Sequence, residues 1–221
     1  MPDGRPLAFV PPQSRQRALD YERAIAARGE VATRDGNLHD AFNALAWLRF
    51  PRAKAALNAV HAGAVDAPTA NARNRARDAA TLLDESGLLL ACADPGLEML
   101  LRAHAWRELF WVRRDEVAVA IRPLVLGHGL AVKLLAPYRA LTAHALVLNM
   151  PPERPDPMSP DGAGETAAML DAEASAIIAS AGFGPDVLAP LPVAALPGWD
   201  SEDLDERLFD DLSVFRPPVL R

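Results

Sequence analysis

Apolar residues in the first part of the chain recur at the spacing of helices. Ala18, Tyr21 and Ile25 share one face of a helix that Gly29 ends. Pro51 suits the first turn of a helix, so it divides the next apolar stretch into two consecutive helices. The pattern predicts four helices, over residues 16–28, 39–50, 51–61 and 69–77.

The middle of the chain changes to a pattern typical of strands. Apolar runs over 81–84 and 88–93 flank Glu85-Ser86-Gly87, which predicts a β-hairpin with its turn at these three residues. Two further strands are predicted over 117–126 and 143–150. The remaining periodic stretches predict helices over 94–113, 127–135 and 165–181.

Together these elements predict one α+β domain that is mainly helical, with a small central, largely antiparallel sheet and extended arms at both ends. We expect an extended N-terminal arm over 1–15 and an α+β core over 16–150. A proline-rich loop over 151–164 leads to a helix and an extended C-terminal arm, over 165–221, that packs on the core. Trp199, Phe209 and Phe215 are the large anchors of that arm.

Polar side chains interrupt the apolar faces of the second and third helices. His39, Asn43 and Trp47 recur every four residues and share one face, and Asn58 and His61 share a face of the next helix. A buried amide or imidazole costs free energy unless it has a partner. These groups must therefore meet each other, the backbone, water, a metal or a ligand.

Composition narrows the classes of function. The net charge is −6, which disfavours nucleic-acid binding because that needs clustered Lys and Arg. No apolar stretch is as long as a membrane span, and the N-terminal residues do not form a cleavable signal. The single cysteine, Cys92, excludes an internal disulfide and lies in an apolar run. We expect a cytoplasmic protein from a bacterium.

Several polar groups are candidates for chemistry if folding brings them together. The candidate catalytic residues are His39, Asp40, Asp84 and His128. The candidate ligand-binding residues are Asn43, Trp47, Asn58, His61, Arg77 and Asp78. Two histidines with carboxylates suit Zn²⁺, Mn²⁺ or Fe²⁺, but no HExxH or EF-hand spacing is present, so a divalent metal stays an open alternative.

Structural roles compete with each of these interpretations. The two asparagines would cross-link the helices around Pro51, and Trp47 suits a core position. Asp40, Asp78 and Asp84 would pair with Arg34, Arg75 or Arg77 on the surface.

Four blocks in the same order resemble a bacterial family described as domain of unknown function 3025. They are FNALAWLRFPRAKAALNAVH, RDAATLLDESGLLL, GHGLAVKLLAPYRALTAHAL and LPGWD…FDDLSVFRPP, within a match of about 21–217. The resemblance implies no activity, cofactor or partner. It implies shared motifs that include Asn43, Trp47, Pro51, Lys54, Asn58, Arg77, Asp78, Asp84, His128, Pro137 and Thr142.

Two hypotheses follow. The first is a small hydrolase-like enzyme or a domain that binds a small anionic molecule, in which Arg77 holds the anion and His39 or His128 acts as acid or base. Asp40, Asp78 or Asp84 would orient a histidine or hold a metal. The second is a non-catalytic interaction or structural protein, whose polar cluster holds the core together and whose C-terminal arm binds a partner or a second copy in a homodimer.

Overall fold

The computed structural model describes residues 4–13, 17–63, 69–150, 165–196 and 205–218. The α-helices are α1 (Ala18–Arg28), α2 (Leu38–Arg49), α3 (Pro51–Ala62), α4 (Ala70–Ser86), α5 (Pro95–Arg102), α6 (Arg114–Ala120), α7 (His128–Lys133) and α8 (Glu165–Ile178). The strands are β1 (Ala8–Val10), β2 (Glu30–Ala32), β3 (Gly87–Cys92), β4 (Ile121–Val125), β5 (Thr142–Asn149) and β6 (Leu188–Pro192). The α+β class and the mainly helical content are confirmed.

The central sheet has the strand order β4-β3-β5-β6. β3 pairs with β5 in parallel, and the two outer pairings are antiparallel. Leu88 and Leu90 belong to one hydrophobic cluster, whereas Leu89 and Ala91 belong to another on the opposite face. Both faces of β3 are therefore covered, which explains why the strand is a continuous apolar run instead of an alternating one.

The N-termini of α2 and α3 are stabilised by a capping side chain, a proline and a distant carboxylate. The side chain of Asn37 accepts a hydrogen bond from the backbone N–H of Asp40 at the start of α2. Pro51 is the first residue of α3, as predicted. The carboxylate of Asp171 in α8 accepts hydrogen bonds from the N–H groups of Arg52 and Ala53, at 3.0 and 2.8 Å. α8 thus caps α3 from a distant part of the chain.

The predicted hairpin around Glu85-Ser86-Gly87 is wrong. Residues 70–86 form a single long helix, and β3 begins directly at Gly87. Ala79, Ala80 and Leu83 recur at helical spacing and pack in the core. A run of four apolar residues fits a buried helix as well as a strand, and here packing favours the helix.

Two other predicted boundaries are corrected. The strand predicted over 117–126 is a helix, α6, followed by the shorter strand β4. β4 lies at an edge of the sheet and so tolerates Pro123. The helix predicted over 94–113 stops after α5 at Arg102 and resumes into a π-helical turn over Glu108–Val112.

The segments predicted as extended arms contain strands that pair with other parts of the chain. β1 and β2 form a parallel pair that was not predicted, and β6 joins the central sheet. Phe209 and Phe215 are buried in the core that also contains Trp106, whose indole N–H donates to the carbonyl oxygen of Arg216 at 2.8 Å. The predicted loop over 151–164 and the anchor Trp199 lie outside the described residues. Within the described ranges, no helix is both long and apolar enough to cross a bilayer.

Candidate functional site

The start of α2, the end of α4 and the start of α7 meet at one end of the molecule. Glycine allows the closest of these contacts. A Cβ atom at Gly127 would lie 2.3 Å from the backbone nitrogen of Gly87 and 2.8 Å from the carbonyl oxygen of Glu85. The absence of that atom lets the first turn of α7 approach the last turn of α4. His128 therefore lies beside Asp84 and Glu85.

Two imidazoles flank one carboxylate at this junction. The Nε2 atom of His128 is 3.4 Å from Oε1 of Glu85, and the Nε2 atom of His39 is 3.8 Å from Oε2 of the same residue. The two rings are edge to face, with their centroids 4.3 Å apart. The His128 side chain is only 7% exposed, whereas those of His39 and Glu85 are 46% and 51% exposed. The cluster is therefore open to solvent on one side, and its three residues offer donor atoms that lie within 4.8 Å of one another.

An ion pair between the buried Lys54 and the partly buried Asp84 lies beside this cluster. Lys54 of α3, 3% exposed, donates a hydrogen bond from Nζ to Oδ1 of Asp84. Burial alone would raise the pKa of Asp84, but the nearby positive charge, chiefly that of Lys54, outweighs burial and lowers this pKa. Asp84 is thus ionised and fixed in place.

Burial favours the neutral form of the His128 imidazole. Burial lowers the pKa of its imidazole and the charge of Lys54 lowers it further, although Asp84 acts in the opposite direction. Its Nδ1 atom is buried, has no hydrogen-bond partner and lies 3.9 Å from Oδ1 of Asp84. A neutral imidazole is able to accept a proton or to ligate a metal.

A second carboxylate approaches the same space from α1. The Nδ2 atom of Asn58 donates hydrogen bonds to the carbonyl oxygen and to Oε2 of Glu22, at 2.8 and 2.7 Å. Burial raises the pKa of Glu22 to about 7, although the hydrogen bond from Asn58 acts to lower it. In the same helix the hydroxyl of Tyr21 accepts a hydrogen bond from Nδ2 of Asn43 at 3.0 Å.

These residues line two open cavities that share a wall. The histidine cleft, of about 500 Å³, is lined by Pro12, Gln13, Tyr21, Glu22, Ala32, Arg34, His39, Asp40, Asn43, Asp84, Glu85 and His128. The Arg77 cleft, of about 550 Å³, is lined by Ala18, Leu19, Glu22, His61, Arg77, Thr81, Asp84 and Glu85. Glu22, Asp84 and Glu85 belong to both linings.

The structure brings together most of the residues that the sequence singled out. The histidine cleft contains His39, Asp40, Asn43, Asp84 and His128, and the Arg77 cleft contains His61, Arg77 and again Asp84.

The other predicted site residues have different places. Asp78 is exposed and lines neither cleft. Trp47 is 2% exposed and packs with Ile25 and Val31 in a small core cluster. Asn58 is buried and holds Glu22, so it contacts the site through another residue.

Asp40 forms the ion pair with Arg34 that is the structural alternative to its predicted catalytic role. Arg34 donates from Nε and Nη2 to its two carboxylate oxygens, each at 2.8 Å. These hydrogen bonds hold the pKa of Asp40 well below its ordinary value.

The candidate site residues from the sequence do not include Glu22, Lys54 or Glu85, although Lys54 belongs to a motif that the resemblance implies and Glu85 adjoins the candidate Asp84. The predicted hairpin places Glu85 in a turn, whereas it lies in the last turn of α4. Lys54 lies four residues before Asn58, and therefore on the same face of α3, which is a usable signal. Glu22 lies beside Tyr21 on the inward face of α1, where an ionisable residue is unusual.

The comparisons with known proteins place the chain in a family. A family model with the description "Protein of unknown function (DUF3025)" matches residues 7–219. No curated protein matches. No solved structure matches.

Proposed function

Because the chain belongs to the family of unknown function DUF3025, we propose its function from its own geometry: a hydrolase-like enzyme that binds a small anionic substrate and cleaves it with water. The observation that carries this proposal is the convergence of His39, Glu85 and His128 in an open cleft above the buried Lys54–Asp84 pair. Residues far apart in sequence, supported by buried charge, are typical of a site and uncommon on a plain surface.

The cleft contains groups suited to moving protons near neutral pH. Neutral His128 accepts a proton from the attacking water, and Asp84 stabilises the imidazolium that results. Glu22, with a pKa of about 7, both holds and releases a proton at neutral pH and donates it to the leaving group. Lys54 keeps Asp84 ionised throughout.

One cation, Arg77, favours an anionic group in its cleft, which also contains the carboxylates of Glu22, Asp84 and Glu85. Arg77 lines its cleft with no acidic partner among the described residues, whereas Arg34 is occupied by Asp40. A guanidinium binds a phosphate or carboxylate through two parallel hydrogen bonds. The anionic group therefore lies at Arg77, and the bond to be cleaved lies near the histidines.

The test is a chromogenic hydrolysis assay with p-nitrophenyl phosphate, bis-p-nitrophenyl phosphate and the uncharged p-nitrophenyl acetate. We expect turnover of a phosphate ester and about a 100-fold or larger loss of kcat in Glu85→Gln. Glu85 contacts Nε2 of both histidines and positions them, and a small misplacement of a catalytic group has an effect of this size. Asp78→Asn, which changes a carboxylate of the same helix outside both clefts, should match the wild type. Arg77→Ala should raise KM for the phosphate ester with little change in kcat. No turnover of any of the three, or full activity in Glu85→Gln, would overturn the proposal.

The alternative is a non-catalytic interaction protein that binds a partner through large side chains of the C-terminal arm, and the positions of two of these side chains argue against it. Phe209 and Phe215 contact each other, with ring centroids 4.7 Å apart, and are buried in the chain's own core. These two side chains are therefore not exposed anchors for a partner. A homodimer and a bacterial cytoplasmic location stay predictions from the sequence.

A further inference from the structure

We propose that His39, Glu85 and His128 bind a divalent transition-metal ion of the zinc class, with water as a fourth ligand. The role of the ion, to activate the attacking water, rests on the proposed function. With the ion bound, His128 would be a ligand and no longer the base, and the ion would lower the pKa of the water instead. The binding itself is a separate claim, because it depends only on the arrangement of the three side chains.

The spacing of the three side chains is close to that of a metal site. Tetrahedral zinc with bonds of about 2.0–2.1 Å places its ligand atoms about 3.3 Å apart. Here Glu85 contributes one oxygen 3.4 Å from Nε2 of His128 and the other 3.8 Å from Nε2 of His39. All three residues have a donor atom within 4.8 Å of the others. Movements of about 1 Å, by side chains of which two are half-exposed, would complete the coordination.

Both imidazoles are oriented as metal ligands are. His39 directs Nε2 to Glu85 and has Nδ1 3.5 Å from Oδ1 of Asp40. His128 directs Nε2 to Glu85 and has Nδ1 3.9 Å from Oδ1 of Asp84. A histidine that ligates a metal through one nitrogen typically donates its other N–H to a carboxylate, which fixes the tautomer. Each histidine thus has a carboxylate oxygen 3.5–3.9 Å from its second nitrogen, a distance that shortens when this hydrogen bond forms.

The buried Nδ1 nitrogen of His128, which has no hydrogen-bond partner, also supports metal binding. The side chain is 7% exposed, and its Nδ1 atom is buried without a hydrogen bond. A buried polar atom without a partner costs free energy. An ion on Nε2 would hold the proton on Nδ1 and draw the ring and Asp84 together. Metal binding at Nε2 would thus give Nδ1 the partner that it lacks, the carboxylate of Asp84.

Two of the three carboxylates near the histidines already have a cationic partner, and the third, Glu85, is the one available to bind a metal. Asp84 is paired with Lys54, and Asp40 is paired with Arg34. Glu85 contacts the two histidines and has no lysine or arginine partner in the part of the chain that the structure describes. A carboxylate free of cations, between two imidazoles, is suited to a dication. Imidazole nitrogen favours zinc, iron, nickel and copper over magnesium, calcium and manganese.

The test is metal binding by the full chain, with any affinity tag removed and the protein stripped with EDTA. We expect one equivalent of Zn²⁺ by isothermal titration and elemental analysis, and with Co²⁺ the intense visible absorption of a tetrahedral site. His39→Ala and Glu85→Gln should weaken zinc binding by about 100-fold or more. Both residues are half-exposed, so folding should persist, which circular dichroism and thermal melting will check.

His104→Asn and Asp78→Asn are the matched controls. His104 has a positive φ of 54°, which asparagine tolerates, and neither residue lines the histidine cleft. Both variants should bind zinc as the wild type does. Absence of stoichiometric zinc, or wild-type affinity in His39→Ala and Glu85→Gln, would overturn the site. Zinc binding without hydrolysis would contradict the proposed function alone, and hydrolysis by zinc-free protein would contradict the metal's role alone.

Discussion

Lys54 and Asp84 form a buried ion pair on which the candidate site is built. Lys54 is 3% exposed and Asp84 is one of the residues shared by the two clefts. The sequence pattern indicates Asp84 as a candidate catalytic residue but does not reveal its cation, because Lys54 lies in another helix, 30 positions earlier. Such a pairing depends on tertiary structure and has no local signal.

Replacement of one partner of this pair should destabilise the fold more than replacement of both. Lys54→Met leaves the carboxylate of Asp84, which is 20% exposed, without its cation. This should lower the free energy of unfolding by about 3 kcal/mol, the low end for a buried pair. The double variant Lys54→Met/Asp84→Leu should recover part of this loss because no charge remains buried. Urea unfolding of the wild type, both single variants and the double variant measures the coupling. Additive effects of the two substitutions would show that the pair is not coupled.

Glu22 should make stability depend on pH. Its folded-state pKa of about 7 lies above the ordinary value of 4.5, so the folded protein retains a proton that the unfolded chain has released. The stabilising contribution of the protonated carboxyl is fully present below about pH 4.5 and is lost as the pH rises through 7. Glu22→Gln mimics the protonated form and should be more stable than the wild type at pH 8 by about 1–3 kcal/mol.

Urea unfolding at several pH values measures this difference, which should shrink towards zero at pH 4.5. In Glu22→Gln the side-chain amide of Asn58 is still able to donate to an amide oxygen in place of the carboxylate, so the substitution changes charge more than contacts. An equal stability difference at pH 8 and pH 4.5 would contradict the raised pKa.

At the scale of elements, the helices α1, α2, α3 and α7 were predictable because each combines an apolar face with a clear glycine or proline signal. The end of α4 was not. Its last turn passes into β3 without a loop, and Gly87 has an extended conformation with a φ of −83° instead of the positive φ of a hairpin turn. β1 and β2, three residues each, are too short to show periodicity.

The contact between α4 and α7 predicts an effect of glycine substitution. A methyl group at Gly127 would meet backbone atoms of Gly87, Glu85 and Ser86 at 2.3–2.8 Å, which only a movement of the backbone would relieve. Gly127→Ala should therefore destabilise the fold by about 2–4 kcal/mol. Gly182→Ala, where a Cβ meets nothing within 4 Å, is the matched control and should be neutral or slightly stabilising. Thermal melting compares the two, and equal effects would show that the contact is not tight.

At the scale of the whole molecule, a four-stranded sheet separates two hydrophobic clusters, and the candidate site lies where three helix ends meet. The fold class was predictable because composition and apolar pattern together define a mainly helical α+β domain. The parallel pairing of β3 with β5 was not, because strand neighbours far apart in sequence are selected by packing on both faces.

Phe215 tests whether the C-terminal part of the chain belongs to the core. It is 2% exposed and packs with Phe209 in the cluster on one face of the sheet. Phe215→Ala should lower the free energy of unfolding by about 3–5 kcal/mol. Phe9→Ala, at a phenylalanine 39% exposed in β1, should cost less than about 1 kcal/mol. Guanidinium unfolding measures the free energy of unfolding of both variants. A negligible decrease in Phe215→Ala would show that the segment around Phe215 does not pack in the core.

The convergence of His39, Glu85 and His128 is most directly tested by nuclear magnetic resonance of the imidazole nitrogens during zinc titration. The chain has five histidines, so single substitutions assign their signals. We predict that zinc shifts the Nε2 signals of His39 and His128 together, at one equivalent, with the proton on Nδ1 of each. The signals of His61, His104 and His144 should not move. A response of one histidine without the other, or of neither, would contradict the account.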